Sequence, residues 1–156
     1  MKITLTVNGT RHEIDIDTGE TLLEVLRRTG YKSVKKGCGS GDCGACAVLL
    51  NGRAVNSCLV FAAKADGSTI LTAEGLETDG GLHPIQEAFL EEGAVQCGYC
   101  TPGMEIAALD LLTHKPHPSE EEIKEGLSGN LCRCTGYVKQ IEAVKTAAKK
   151  MSEGSR

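Results

Sequence analysis

Eight cysteines, arranged as two sets of four, dominate what this chain can become. Cys38, Cys43, Cys46 and Cys58 lie in the first half, and Cys97, Cys100, Cys132 and Cys134 in the second. The segment from Met1 to Val7 alternates apolar and polar residues, without the charged start and continuous apolar run of a secretion signal. The expected compartment is therefore the reducing cytoplasm, where cysteines remain thiols. Thiols in this number usually ligate metal or do redox work.

The first set spans Gly37-Cys38-Gly39-Ser40-Gly41-Asp42-Cys43-Gly44-Ala45-Cys46, with Cys58 further on. The spacing C-x4-C-x2-C is the plant-type [2Fe–2S] pattern. Three thiolates from one loop can wrap a compact rhombic cluster, and a fourth from another segment closes the site. Such a cluster is anionic and needs backbone N–H groups aimed at its sulfurs, and the glycines let the loop turn that way. Zinc sites more often use two short Cys pairs, whereas this set has one pair and two lone cysteines. Gly39-x-Gly41-x-x-Gly44 also matches the dinucleotide fingerprint, but cysteines interleave its glycines and a strand, not a helix, is expected after it.

In the second set, Cys97-x2-Cys100 and Cys132-x-Cys134 each precede an expected helix start. A helix N-terminus favours thiolate, and two such ends facing each other make an anion site. By spacing alone, a zinc site of four cysteines is a serious rival to an iron–sulfur cluster here, because two short Cys pairs are the usual zinc arrangement.

The signals around the cysteines divide the chain at the same place. Ile3, Leu5 and Val7 alternate as in a strand, Asn8-Gly9 marks a hairpin, and Ile14 and Ile16 continue it. A helix is expected over Thr21 to Thr29, stopping at Gly30. A second hairpin, over 45–50 and 53–58, turns at Asn51-Gly52, and a last strand fits Thr69 to Thr72. Beyond Leu82 four helices are expected. One covers Pro84 to Glu92, and one has Thr101 as N-cap and Pro102 as first residue. A third opens with the Ser119-x-x-Glu122 capping box. The last covers Tyr137 to Met151, with Val138, Ile141, Val144, Ala148 and Met151 at helical spacing. The fold class is α+β, with domains at 1–76 and 77–156 joined in the turn-like stretch from Glu74 to Leu82. Aromatic residues are only 3%, so both cores must be aliphatic, and each is small enough to gain from a metal centre. A net charge of −4 without a basic run gives no reason to expect nucleic acid, and no apolar run approaches a membrane span.

Two further stretches carry a resemblance. Gln96-Cys97-Gly98-Tyr99-Cys100-Thr101-Pro102-Gly103 and Gly129-Asn130-Leu131-Cys132-Arg133-Cys134-Thr135-Gly136-Tyr137 resemble signatures of the iron–sulfur subunit of molybdenum hydroxylases, the family of xanthine dehydrogenase, aldehyde oxidoreductase and carbon monoxide dehydrogenase. Lys36-Gly37-Cys38 through Cys46 is similar to the family's first signature, and the likeness extends from Ile3 to about Val144. It implies a β-grasp ferredoxin-like domain followed by a four-helix bundle. It also implies one [2Fe–2S] cluster on Cys38, Cys43, Cys46 and Cys58 and a second on Cys97, Cys100, Cys132 and Cys134. Gln96 and Cys134 match positions that approach molybdopterin in the family. The implied partners are a large molybdopterin-binding subunit and a medium FAD-binding subunit, in a dimer of heterotrimers. This chain would relay electrons without binding substrate. A free-standing two-cluster carrier and a zinc-bound interaction module are the other readings.

Several residues are expected to stand apart from this chemistry. The four histidines are scattered and read as surface or loop residues, and Glu120, Glu121 and Glu122 as a solvated first helical turn.

Overall fold

The computed structural model describes residues 1–77 and 79–154. Thr78, within the expected domain boundary, and Ser155 and Arg156, at the end of the expected second domain, lie outside the described residues.

The first half is a mixed five-stranded sheet with one helix. Strand β1 (Lys2–Val7) turns through Asn8 and Gly9 into β2 (Thr10–Asp15). Both turn residues have positive φ, at 50° and 80°, as a tight hairpin matching strand twist requires. Strands β3 (Ala47–Leu50) and β4 (Arg53–Asn56) pair likewise across Asn51 and Gly52. Strand β5 (Thr69–Leu71) lies between the hairpins, parallel to β1 and antiparallel to β3, giving the order β2-β1-β5-β3-β4.

Helix α1 (Leu22–Arg28) starts at a capping box between Thr21 and Glu24. It ends as Gly30 and Tyr31 donate back to the carbonyls of Arg27 and Leu26, the paired closure that a glycine past the helix end permits. Leu22, Leu23, Val25 and Leu26 join Ile3, Leu5, Val7, Val48 and Ile70 in one buried core.

The second half holds α2 (Pro84–Glu91), α3 (Thr101–His114), α4 (Glu120–Leu127) and α5 (Tyr137–Glu153). Helix α2 packs on α5 and α3 on α4, around Phe89, Met104, Ile123 and Val144. Strand alternation explains how the halves join. Val48 faces the core under α1, while its neighbours Ala47 and Leu49 face the other way and receive Ile106 of α3.

Four expectations change in detail. The strand ending at Cys58 stops at Asn56, because the Ser57 N–H and hydroxyl both turn back to the Cys46 carbonyl and start a short 3-10 helix at Ser57–Leu59. Ile16 is buried but lies one residue past β2. Thr101 is the first residue of α3 rather than its cap; Cys100 takes the cap position, and the Thr101 hydroxyl is buried without a partner. Of the expected face of α5, Val144 and Ala148 are buried and Ile141 and Met151 pack on the core, but Val138 is 72% exposed, and Gln140 is buried beside Ala143, Val144 and Ala147.

Two facing sets of thiols as candidate metal centres

The loop between α1 and β3 carries the first three cysteines and turns its backbone N–H groups toward two of their sulfurs. N–H groups of Ser40, Asp42 and Cys43 all donate to Cys38 Sγ, at 3.4, 3.3 and 3.4 Å. The Cys38 N–H donates to Cys43 Sγ at 3.4 Å. Three of the glycines here, Gly39, Gly41 and Gly44, have positive φ, which keeps the N–H groups turned inward. The Asn56 side chain donates to the Gly41 carbonyl at 2.9 Å, tying the loop to the end of β4. With Ser57 bonded to the Cys46 carbonyl, the 3-10 turn delivers Cys58 to the Cys46 thiol.

The thiols of this set differ sharply in acidity. Cys38 is exposed, and the Ser40 hydroxyl together with the surrounding N–H groups brings it down to about 6. Burial pushes Cys58 up to about 11, and the neighbouring Cys46 thiol adds to the rise. A metal bound here would supply the positive charge that makes Cys58 a thiolate.

The second set is built where two helices begin. Cys97 and Cys100 precede α3, and Cys132 and Cys134 precede α5. Cys100 faces Cys132, and Cys97 faces Cys134. Burial pushes Cys100 up to about 12, reinforced by the adjacent Cys132 thiol. Tyr137 Oη accepts the Cys132 N–H at 2.8 Å, closing the turn that carries this pair. A cavity of about 410 Å³ is lined by Cys97, Cys100 and Cys132, with Tyr99, Leu131 and Tyr137 at its rim. Cys43 of the first set opens onto the same cavity.

The sets are held together directly. The Leu131 N–H donates to the Cys43 carbonyl at 2.9 Å, so neighbours of one set bond to the backbone of the other. Asn130 donates to the Gly44 carbonyl at 3.2 Å, and Tyr99 Oη to the Lys36 carbonyl at 2.6 Å. Close approach requires glycine at two points. A Cβ on Gly103 would run into the Gly44 carbonyl, and a Cβ on Gly44 into the Gly129 carbonyl and the Asn130 amide.

This donor set fits a [2Fe–2S] cluster on chemical grounds. The thiols come in facing pairs, as a rhombus with two sulfurs on each iron requires. Among the described residues, no three Cys, His, Asp or Glu side chains close on a point that one metal ion would occupy, which a tetrahedral zinc site would need.

Gln96 is exposed and donates to the Cys134 carbonyl at 3.1 Å, so the amide expected to meet the pterin is partly engaged within the chain. Three of the four histidines are occupied elsewhere. His12 bonds Tyr31, His83 caps α2 by accepting the Ile85 N–H, and His114 meets Arg53. Sequence reasoning missed Gln140, whose amide donates to Cys100 Sγ at 3.6 Å. Gln140 shares a helix face with Val144 and Ala147, but a glutamine does not count toward an apolar periodicity, so the sequence did not single it out.

Comparison with known proteins agrees with this geometry. Residues 5–74 match a 2Fe-2S iron-sulfur cluster binding domain, and residues 72–145 a [2Fe-2S] binding domain. The nicotinate dehydrogenase small FeS subunit of Eubacterium barkeri is 50% identical over 149 residues, covering 95% of each chain. The xanthine dehydrogenase iron-sulfur-binding subunit of Escherichia coli O157:H7 is 46% identical over 145 residues, covering 91% of each. The crystal structure of quinoline 2-oxidoreductase from Pseudomonas putida 86 superposes with a TM-score of 0.94 at 38% identity, over 100% of this chain and 98% of that one. By its two cysteine sets, its fold and its full-length similarity, the chain belongs to the iron–sulfur subunits of the molybdenum hydroxylase family, and its work is electron transfer.

Proposed function

We propose that Cys38, Cys43, Cys46 and Cys58 hold one [2Fe–2S] cluster and Cys97, Cys100, Cys132 and Cys134 a second. The carrying observation is the pairing of thiols within each set, with N–H groups aimed at the sulfurs and a direct hydrogen bond joining the sets. When bound, each cluster supplies a one-electron carrier; the protein supplies position, spacing and electrostatics. In this reading residues 1–76 are a β-grasp ferredoxin-like domain and residues 77–156 a four-helix bundle.

The chain passes electrons from a large molybdopterin-binding subunit to FAD on a medium subunit, in a cytoplasmic dimer of heterotrimers, and does no substrate chemistry itself. Among the described residues, no helix is long and apolar enough to cross a membrane. Entry is proposed at the second set, where Cys97 is exposed and Cys134 half-buried. There Gln96 and Cys134 would approach the pterin. The Gln96 amide carbonyl can still accept a hydrogen bond while its N–H holds the Cys134 carbonyl.

Anaerobically purified protein should contain about 4 iron and about 4 acid-labile sulfides per chain. On reduction it should give two distinguishable paramagnetic signals, because one set lies in a loop and the other between helix starts. Stoichiometric zinc in place of half the iron would overturn the assignment of the second set.

A further inference from the structure

Gln140 is 1% exposed, on the first turn of α5, and its polar end lies against the second set of thiols. Its Nε2 is 3.6 Å from Cys100 Sγ and 3.4 Å from the Ala94 carbonyl oxygen. The Ala94 contact fixes which way the amide is turned, since a carbonyl oxygen needs a donor opposite it. One N–H serves Ala94 and the other faces sulfur. The opposite end of the same amide, Oε1, is buried with no hydrogen-bond partner. A leucine of similar size would avoid that loss, so packing alone gives no reason for glutamine here.

The surroundings leave room for this amide. Gly136 precedes α5, and a Cβ there would crowd Gln140 Nε2 at 3.3 Å. Gln140 thus reaches from the start of α5 to Cys100, the residue ahead of α3.

We propose that Gln140 sets the reduction potential of the second cluster by donating an N–H to the Cys100 sulfur, making that cluster easier to reduce. This rests on the reading that the second set holds a [2Fe–2S] cluster. Reduction adds negative charge that spreads onto the ligand sulfurs. A donor fixed in a dry site stabilises the reduced form more than the oxidised form. The effect is local, because among the described residues the Gln140 amide donates to Cys100 and Ala94 and not to the first set.

The test uses the iron-loaded full chain carrying Gln140→Leu or Gln140→Met, both of similar volume and without a donor. Each cluster's midpoint is read from its own paramagnetic signal in a redox titration. At a fixed ambient potential, the reduced-to-oxidised ratio of the second cluster should fall roughly 3- to 10-fold, as expected for one hydrogen bond. At 59 mV per tenfold for one electron this is a drop of about 30 to 60 mV. The first cluster should keep its midpoint. An unchanged second midpoint, or an equal shift of both, overturns the proposal. So does loss of the second cluster from both variants, since the amide would then hold the site together rather than tune it. If the wild-type chain shows no second [2Fe–2S] signal, the underlying assignment fails instead, and the two failures are told apart.

Discussion

Glu105 is a carboxylate placed where water barely reaches. It lies in the second turn of α3, 7% exposed, and burial alone pushes it up to about 7. Its free value is about 4.5, so between pH 4.5 and 7 the folded chain holds a proton that the unfolded chain releases. Stability is therefore greatest below pH 4.5 for this group and falls as pH rises through 7. Above that, a charged buried carboxylate costs on the order of 2–3 kcal/mol. Glu105→Gln should remove this slope and raise the urea midpoint at pH 8, with little change at pH 5. The surface carboxylates Glu120 and Glu122 act oppositely, because their lysine partners bring both down to about 2, so their contribution fades only in strong acid. Equal midpoints for wild type and Glu105→Gln at pH 8 would show that the carboxyl finds a partner. Nothing in the local sequence marks Glu105 as buried. Its neighbours are apolar on both faces of α3, and a single acid among them reads as the solvent edge. Gln140 was illegible for the same reason. An apolar residue sits nearby at Val138, and periodicity cannot tell which of two adjacent helix faces meets the core until tertiary packing decides.

Between elements, the decisive contacts are backbone against backbone. The first turn of α3 approaches the first cysteine loop so closely that Gly103 faces the Gly44 carbonyl with no room for a methyl group. Neither atom is a flexible side-chain end, so the structure cannot yield cheaply. Gly103→Ala should cost about 1–3 kcal/mol, the range for overpacking a dense interior. It should also separate the two cysteine sets, lengthening the Leu131–Cys43 hydrogen bond. Lower thermal stability with slower electron exchange between the two clusters is the expected result. A normal melting point would mean that the loop can shift freely. Local chemistry made much of this level legible. The Asn-Gly pairs placed both hairpins, the helical spacing from Thr21 placed α1, and the Ser119 capping box placed the start of α4. The 3-10 turn that carries Cys58 was not legible, since it depends on a long-range bond from Ser57 to Cys46. The Thr101 cap failed similarly: the cysteine before it takes the cap position when the Cys97–Cys100 turn folds back toward Cys132 and Cys134.

At the scale of the molecule, the remaining question is where a partner can deliver electrons. Around the second set several large apolar side chains face water. Leu131, Tyr137 and Val138 are 54%, 42% and 72% exposed, and Tyr99 is 48% exposed at the same cavity. Water-facing apolar side chains clustered beside an electron carrier are what a docking partner would cover. Val138 isolates this idea well. It makes little contact with the core, so replacing it should leave fold stability within about 0.5 kcal/mol. Aspartate there even suits the position, because the second residue of α5 lies at the positive end of the helix. Val138→Asp should therefore give a stable chain with both cluster signals unchanged. On docking, however, the carboxylate would have to be stripped of water against an apolar partner surface, at a cost that should weaken assembly tenfold or more. Co-purification with the molybdopterin-binding subunit, and the rate at which the second cluster fills with electrons from it, are the measurements. Normal assembly and normal electron arrival in Val138→Asp would place the entry face elsewhere, and the approach of Gln96 and Cys134 to the pterin would lose its structural support.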